Sequence, residues 1–334
     1  MILGRIRHLA LLLLLLLLPQ FLTALTVKLA SPLPEGTEWD NALRRMADEW
    51  SQITGGHVRV KIYPGGIAGD EADMVRKMRI GQIDAGVFTA FGLKMMVPET
   101  FVLTLPGLLK NDAELDFVLD NYVQRFDNRF REEGFEILDW SRSGWAFVFS
   151  RTAIHTPGEL RRGSLVLNNT ESDVIAAYKA MGFQVVPADF NETMVVLQSG
   201  MANIFTAPPI AAAAFQWFAL APYMTEFPIA PVIGGLVISQ RSWQRIPDEY
   251  HDELKASMKR VALKFYTESL KLNDEALRVM IDNGLQLISL SEDENEAFEQ
   301  MMKSGHSQMV GDDKAVPPEQ YEELQNELEA FRKR

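Results

Sequence analysis

The chain has no cysteine in 334 residues, which excludes disulfides, thiol nucleophiles and cysteine-ligated metal sites. Its histidines (His8, His57, His155, His251, His306) are scattered, with no pair at metal-ligand spacing. The HExxH, GxSxG, Walker A and SxxK…KTG patterns are all missing, so nothing supports an enzyme and no cofactor is implied. Basic residues are in deficit, 33 against 45 acidic, a balance that argues against nucleic acid or an anionic membrane as partner. Charge itself is lacking over one long stretch: between Thr193 and Gln240 the only charged residue is Glu226. Glycine and proline are lacking between Pro247 and Gly284.

The uncharged stretch contains "TAPPIAAAAFQWFALAPY" (206–223), apolar enough to raise the question of lipid. Pro208 and Pro209 interrupt it at one end and Pro222 at the other, leaving residues 210–221 as the longest helical piece. Such a piece reaches about 18 Å, too short to span a bilayer. The N-terminus is different. Arg5 and Arg7 precede an unbroken apolar run at 9–18 and then Pro19, the layout of a secretory signal. Cleavage after Ala24 would leave Leu22 at the −3 position, so residues 1–24 read as a signal peptide or an uncleaved anchor. An exported chain without cysteine fits a bacterial periplasm.

Beyond the leader, strand-like and helix-like segments alternate. Residues 26–31 read as a strand, and Trp39, Leu43, Met46, Trp50 and Ile53 form one helical stripe after Thr37. Residues 57–63 and 83–88 read as two further strands flanking a helix through Met74 and Met78. This βαβαβ order implies a parallel sheet with its ligand beyond the carboxyl ends of the strands. Asp70, Glu71 and Asp73 at the start of that helix read as solvated charges favouring its dipole. The Gly-rich "GGIAG" (65–69) reads as a tight turn rather than an anion site. A long extended segment at 135–155 precedes a second alternating block: a strand at 164–168, a helix at 172–181 and a strand at 183–188. The strand-like "GGLVIS" (234–239) returns the chain. Between Pro247 and Gly284, apolar spacing predicts either one helix of about 54 Å that braces two domains or two helices broken near 271–274.

Five segments in this order carry a family resemblance: "ITGGHVRVKIYPGGIAGDEADMVRKMRIGQIDAG" (53–86), "VLTLPGLLKNDAE" (102–114), "AIHTPGELRRGSLVL" (153–167), "AYKAMGFQVVPADFNETMVVLQSGMAN" (177–203) and "GGLVISQRSWQRIPDE" (234–249). The sequence resembles the extracytoplasmic solute-binding proteins of tripartite ATP-independent periplasmic (TRAP) transporters over nearly all of the chain after the leader. The resemblance implies an α/β periplasmic binding protein fold: two lobes joined by crossing strands, with a long helix spanning both. The lobes are expected at 25–149 plus 236–276 and at 150–235 plus 277–334. It also implies a non-catalytic function, capture of a small organic ligand for TRAP membrane permease subunits. One branch of the family works with a tetratricopeptide-repeat accessory protein, and the sequence is compatible with it.

The departures from the family concern the ligand. Its members usually carry an arginine in the strand after the crossover, which grips a ligand carboxylate. "LRRGSLVLN" has Val166 at that position, and Asn168 where a proline belongs. "FTAP" has Ala207 where an asparagine often helps hold the ligand. Burying a carboxylate without a partner costs several kcal/mol, and about 3–4 kcal/mol weakens binding roughly 10²–10³-fold. An apolar or amphipathic ligand is therefore expected, in a cleft walled by Phe88, Thr89, Phe91, Trp140, Trp145, Val166, Asn168, Thr206, Ala207, Pro208, Phe215 and Trp217. Arg142, between two tryptophans, is the candidate for a replacement cation, which leaves a carboxylate ligand open; its alternative is a surface arginine stacked on Trp140 or Trp145. An enzyme, or an interaction protein whose lobes no longer close, are the readings from other classes.

Overall fold

The computed structural model describes residues 24–167 and 172–333. The leader read at 1–24, except for its last residue, and Asn168 lie outside the described residues.

One nine-stranded sheet runs through the molecule in the order β2-β1-β3-β8-β4-β7-β5-β6, with β9 beside β8. Strands β1 (Leu25–Ala30), β2 (Val58–Tyr63) and β3 (Ala85–Thr89) are parallel and form one half. Strands β5 (Ser164–Leu167), β6 (Gln184–Pro187) and β7 (Ile204–Ala207) form the other. Two long antiparallel strands, β4 (Phe135–Ser150) and β8 (Tyr223–Ser239), cross between them. The C-terminal part of β8 pairs with β3, from Thr89–Gly234 to Ala85–Ile238, while Phe147–Ser150 of β4 pair with β7. β9 (Gln286–Ile288) adds to the start of β8.

Helices cover both faces of each half. In the first lobe α1 (Glu38–Ile53) buries the stripe Leu43, Met46 and Trp50, and α2 (Glu71–Arg79) buries Met74, Val75 and Met78. α3 (Ala90–Met96), α4 (Asp112–Asn121) and α5 (Gln124–Glu132) follow. In the second, α6 (Ser172–Ala180) and α7 (Pro209–Ala214) flank the sheet. The apolar helix expected over 210–221 is shorter than its composition allows. Gln216 adopts a left-handed backbone (φ 57°), which ends α7, and β8 begins at Tyr223.

α8 (Asp248–Asp282) is one unbroken helix of 35 residues, so the two-helix alternative falls away. Leu254, Met258, Val261 and Phe265 pack into the core of the first lobe, and Met280 into that of the second. α9 (Glu292–Met309) covers the second lobe through Phe298 and Met302. α10 (Pro318–Arg332) departs from the expected grouping, because it packs on α4 and α5 of the first lobe. Leu324 and Leu328 join that core, the Tyr122 hydroxyl donates to the Gln320 carbonyl at 3.2 Å, and Arg332 pairs with Glu114 at 2.7 Å. Among the described residues no helix is long and apolar enough to cross a membrane.

Candidate functional site

A cavity of about 340 Å³ lies between the lobes, where the carboxyl ends of β3, β5 and β7 face one another. The first lobe contributes Phe88 and Thr89 from the end of β3 and Phe91 from the first turn of α3, whose ring packs on Phe101 with centroids 5.4 Å apart. The second contributes Val166 from β5, Thr206 and Ala207 from β7, and Pro208 at the mouth of α7. Phe215 and Trp217 stack at 4.9 Å and complete that wall, with Trp217 edge-on to Phe205 at 5.5 Å. The left-handed turn at Gln216 sets those two rings on one side, a local consequence of ending α7 early. Ala211 also lines the cavity, whereas Ala212 is core.

Three expected residues lie elsewhere, for a reason that lies in the strand. Side chains alternate along β4, so Ser141 and Ser143 face the cavity and Trp140 and Arg142 face away. The ring of Trp140 packs on Phe126 and Phe130 of α5 at 5.9 and 6.0 Å. Arg142 pairs with Asp116 and lies 3.5 Å over the ring of Tyr266. The β4–β8 register then shifts between Arg142 and Trp145, with Gly144 at φ +96°, so that Ala146 rather than Trp145 faces inward. Trp145 instead donates its indole N–H to Asp112 at 2.8 Å.

Glu71 was missed. Asp70 caps α2 by accepting from the Asp73 N–H at 2.7 Å, and Asp73 pairs with Arg76, as solvated charges should. Glu71 is only 8% exposed and lines the cavity. Its carboxylate accepts from the Thr89 N–H at 2.5 Å and from the Thr89 hydroxyl at 2.8 Å. The signal was available, since Glu71 sits three, four and seven residues before Met74, Val75 and Met78, on the buried face of the helix. Tyr178 on α6 and Ser141, Ser143 and Ala146 on β4 are further wall residues outside the expected set.

No arginine, lysine or histidine is among the described residues that line the cavity, and Glu71 is the one carboxylate there. Thr89, Thr104, Ser141, Ser143, Tyr178, Thr193 and Thr206 bring hydroxyl groups to its wall. No cluster of metal-binding side chains occurs among the described residues. The lobes also touch outside the cavity. Lys94 of α3 pairs with Asp173 of α6 at 2.8 Å, and the turn at Gly66 lies against Asn191 so closely that a Cβ there would sit 2.5 Å from its side-chain nitrogen.

Comparison with known proteins places this architecture in company. The profile of the bacterial extracellular solute-binding proteins, family 7, matches residues 29–313. A solute-binding protein of Verminephrobacter eiseniae is 31% identical over 162 residues, and the match spans about half of each chain, 48% of both. The sialic acid-binding periplasmic protein SiaP of Vibrio cholerae is 21% identical over 264 residues, 76% of this chain and 79% of that protein. Among solved structures, a TRAP periplasmic solute-binding protein from Xanthobacter autotrophicus with bound β-D-galacturonate superposes with a TM-score of 0.82. That comparison is at 17% identity and covers 91% of this chain and 99% of the other.

Proposed function

The chain belongs to the bacterial extracellular solute-binding proteins of family 7, the TRAP binding proteins, and on that premise we propose that it captures a small oxygen-bearing, amphipathic organic solute between its lobes and delivers it to a TRAP membrane permease. The observation that carries this reading is the interlobe cavity, walled by residues of both lobes and by the strands that join them. A solute there contacts both lobes at once, so its binding energy favours the state in which they meet. The premise places the chain outside the cytoplasmic membrane. The periplasm, reached by a cleaved leader or held by an uncleaved one, is the compartment that fits. No feature among the described residues favours a tetratricopeptide-repeat partner.

The ligand chemistry is narrower than the expectation it replaces. A wholly apolar solute is set aside, because hydroxyls and the Glu71 carboxylate share the wall with the aromatic rings. The ligands named for the comparison proteins, sialic acid and galacturonate, also carry many oxygens. Both are carboxylates, and here the reading departs from them. With no cation among the described lining residues, a buried carboxylate would lack its partner, at a cost of several kcal/mol. Arg142 does not supply it, being held by Asp116 and Tyr266 outside the cavity. The solute that fits is uncharged at the buried end, with hydrogen-bonding oxygens and an apolar body.

The test is a thermal-shift panel on protein unfolded and refolded to strip carried-over ligand. It sets succinate, L-malate and D-glucuronate against neutral oxygen-bearing solutes of similar size. A compound at 100 times its dissociation constant should stabilise the fold by about 2.7 kcal/mol. Stabilisation by neutral solutes alone supports the reading. Strong stabilisation by a dicarboxylate overturns the ligand chemistry and leaves solute capture standing. Silence across the panel counts against capture itself.

A further inference from the structure

A second, smaller cavity of about 40 Å³ opens behind the main one, between β5, β7 and α9. The two share Pro106, Tyr178, Thr206, Ile229 and Met309 as walls. Beyond that junction the smaller chamber is bounded by Met181, Met301 and Met302 together with Leu160 and Leu165. Methionine is unbranched and adaptable, so such walls yield to an incoming carbon chain more readily than branched ones. His306 also borders the chamber, but its ring nitrogens are engaged by the Pro106 carbonyl at 2.8 Å and the Tyr321 hydroxyl at 3.0 Å. The chamber therefore offers almost no polar contact of its own.

Tyr178 stands at the junction. Its ring packs edge-on against Phe183 at 5.4 Å, and its hydroxyl has no hydrogen-bond partner among the described residues. Burial pushes the phenol up to about 12, so it remains a neutral donor at any pH the protein meets. The residue is only partly buried, so this hydroxyl is not stranded in the core but opens onto the cavities it lines, where it is available to a solute. The Thr206 hydroxyl, at the same junction, is likewise without a partner among the described residues.

We propose that Tyr178 recognises an uncharged carbonyl or ether oxygen of the solute and that the carbon chain beyond that oxygen enters the methionine-lined chamber, which makes this chamber the determinant of chain length. The inference rests on the proposed role in solute capture and specifies its ligand. The phenol O–H and the Thr206 hydroxyl hold the oxygen where the two cavities meet. The volume beyond is that of about one water-sized or methyl-sized group before the methionines move.

The experiment uses straight-chain methyl ketones, from 2-butanone to 2-octanone, titrated calorimetrically into the refolded chain, with succinate and D-glucuronate as rivals. Affinity should rise with chain length to a limit. Tyr178→Phe should weaken every ketone by about three- to tenfold, the effect of one neutral hydrogen bond, and leave the melting temperature of the ligand-free protein unchanged or higher. Gly305→Ala places a Cβ in the chamber, 2.4 Å from the sulfur of Met181, which must swing aside and fill it. That variant should remove the gain from the longer ketones and spare 2-butanone; should it fail to fold, Leu165→Phe closes the chamber from the opposite wall. A lower melting temperature for ligand-free Tyr178→Phe, or unchanged ketone affinity, overturns the proposal. Binding of succinate or glucuronate without any ketone overturns it too while preserving solute capture, and binding of neither class brings down both.

Discussion

The side-chain carbonyl of Asn273, two-thirds of the way along α8, accepts the backbone N–H of Ile210 at 3.0 Å. Its amide nitrogen donates to the Ser143 carbonyl at 3.2 Å and to the Ser269 carbonyl at 2.9 Å. One side chain of the spanning helix thus holds the first turn of α7, whose preceding residues wall the cavity, and the irregular point of β4, where Ser143 lines it. Gly144 belongs to the same arrangement, because a Cβ there would lie 3.1 Å from the Asn273 amide in a backbone conformation that only glycine adopts easily.

Replacing Asn273 by alanine leaves the Ile210 N–H and the Ser143 carbonyl without that partner. Each such loss costs about 1–3 kcal/mol when the group is buried. Asn273→Ala should lower unfolding free energy by about that amount in urea titrations. Asn273→Asp keeps an acceptor for Ile210 but turns a carboxylate oxygen toward two carbonyls, so it should be no better. Stability equal to wild type in both variants would show that the helix does not depend on this contact.

A second prediction concerns the ion pair between Lys94 and Asp173, which joins the lobes with side chains only 11% and 31% exposed. A pair this shielded should contribute on the order of 1 kcal/mol to lobe closure, a factor of about five in the closed population. Asp173→Asn should therefore raise the radius of gyration measured by X-ray scattering, with little change in the cooperativity of unfolding. High salt should shift the wild type in the same direction and the variant less.

Asp139 gives a pH-dependent test of the crossing strand. It sits where the β4–β8 register first slips, and its carboxyl is pushed up to about 8 by burial, against the opposing pull of Lys259 on α8. The folded chain holds this proton more tightly than the unfolded chain, whose ordinary value is 3.8. The favourable contribution is complete below that value and is lost as pH rises through about 8. Asp139→Asn never ionises, so it should exceed wild type in stability, by about 1–3 kcal/mol near pH 8 and less at pH 5. Equal stability at pH 8 would mean that the carboxylate is solvated in the folded chain.

How far the sequence could be read depended on the range of the cause. Local periodicity located β1, β2, β3 and the stripe of α1, because burial on one face leaves its period in the residues. The absence of glycine and proline before Gly284 anticipated the unbroken α8 as one of two readings. The resemblance placed Val166 and Ala207 in a cleft, and both line the cavity. Trp140 and Arg142 share the outward face of β4, which the alternation of Ser141 and Ser143 into the cavity decides, and Trp145 leaves the inward face through a register shift after Arg142 that only the pairing with β8 creates. α10 was assigned to the wrong neighbours for a similar reason, since its partners Tyr122 and Glu114 lie some two hundred positions earlier in the chain. Tyr178 carried no local signal, for an unpartnered hydroxyl is a property of three-dimensional surroundings.

His306 supplies the final prediction. Its Nε2 faces the Pro106 carbonyl at 2.8 Å and must donate, so its Nδ1 accepts from the Tyr321 hydroxyl at 3.0 Å. The neutral ring satisfies both contacts, and a second proton on Nδ1 would displace the Tyr321 donor. Burial lowers its pKa below the ordinary 6.5, and Lys303 on the same helix lowers it further. The unfolded chain therefore binds this proton first as pH falls. The stabilising contribution is complete above 6.5 and declines as pH drops from there toward the folded value. Wild type should lose unfolding free energy between pH 7 and pH 5, and His306→Gln, which cannot take the proton, should lose less over the same range. Because His306 ties α9 to the loop at Pro106 and to Tyr321 of α10, the variant should also be less stable at pH 7, where the neutral contacts are intact. A variant that matched wild type at pH 7 and kept its slope would place the titration elsewhere in the molecule.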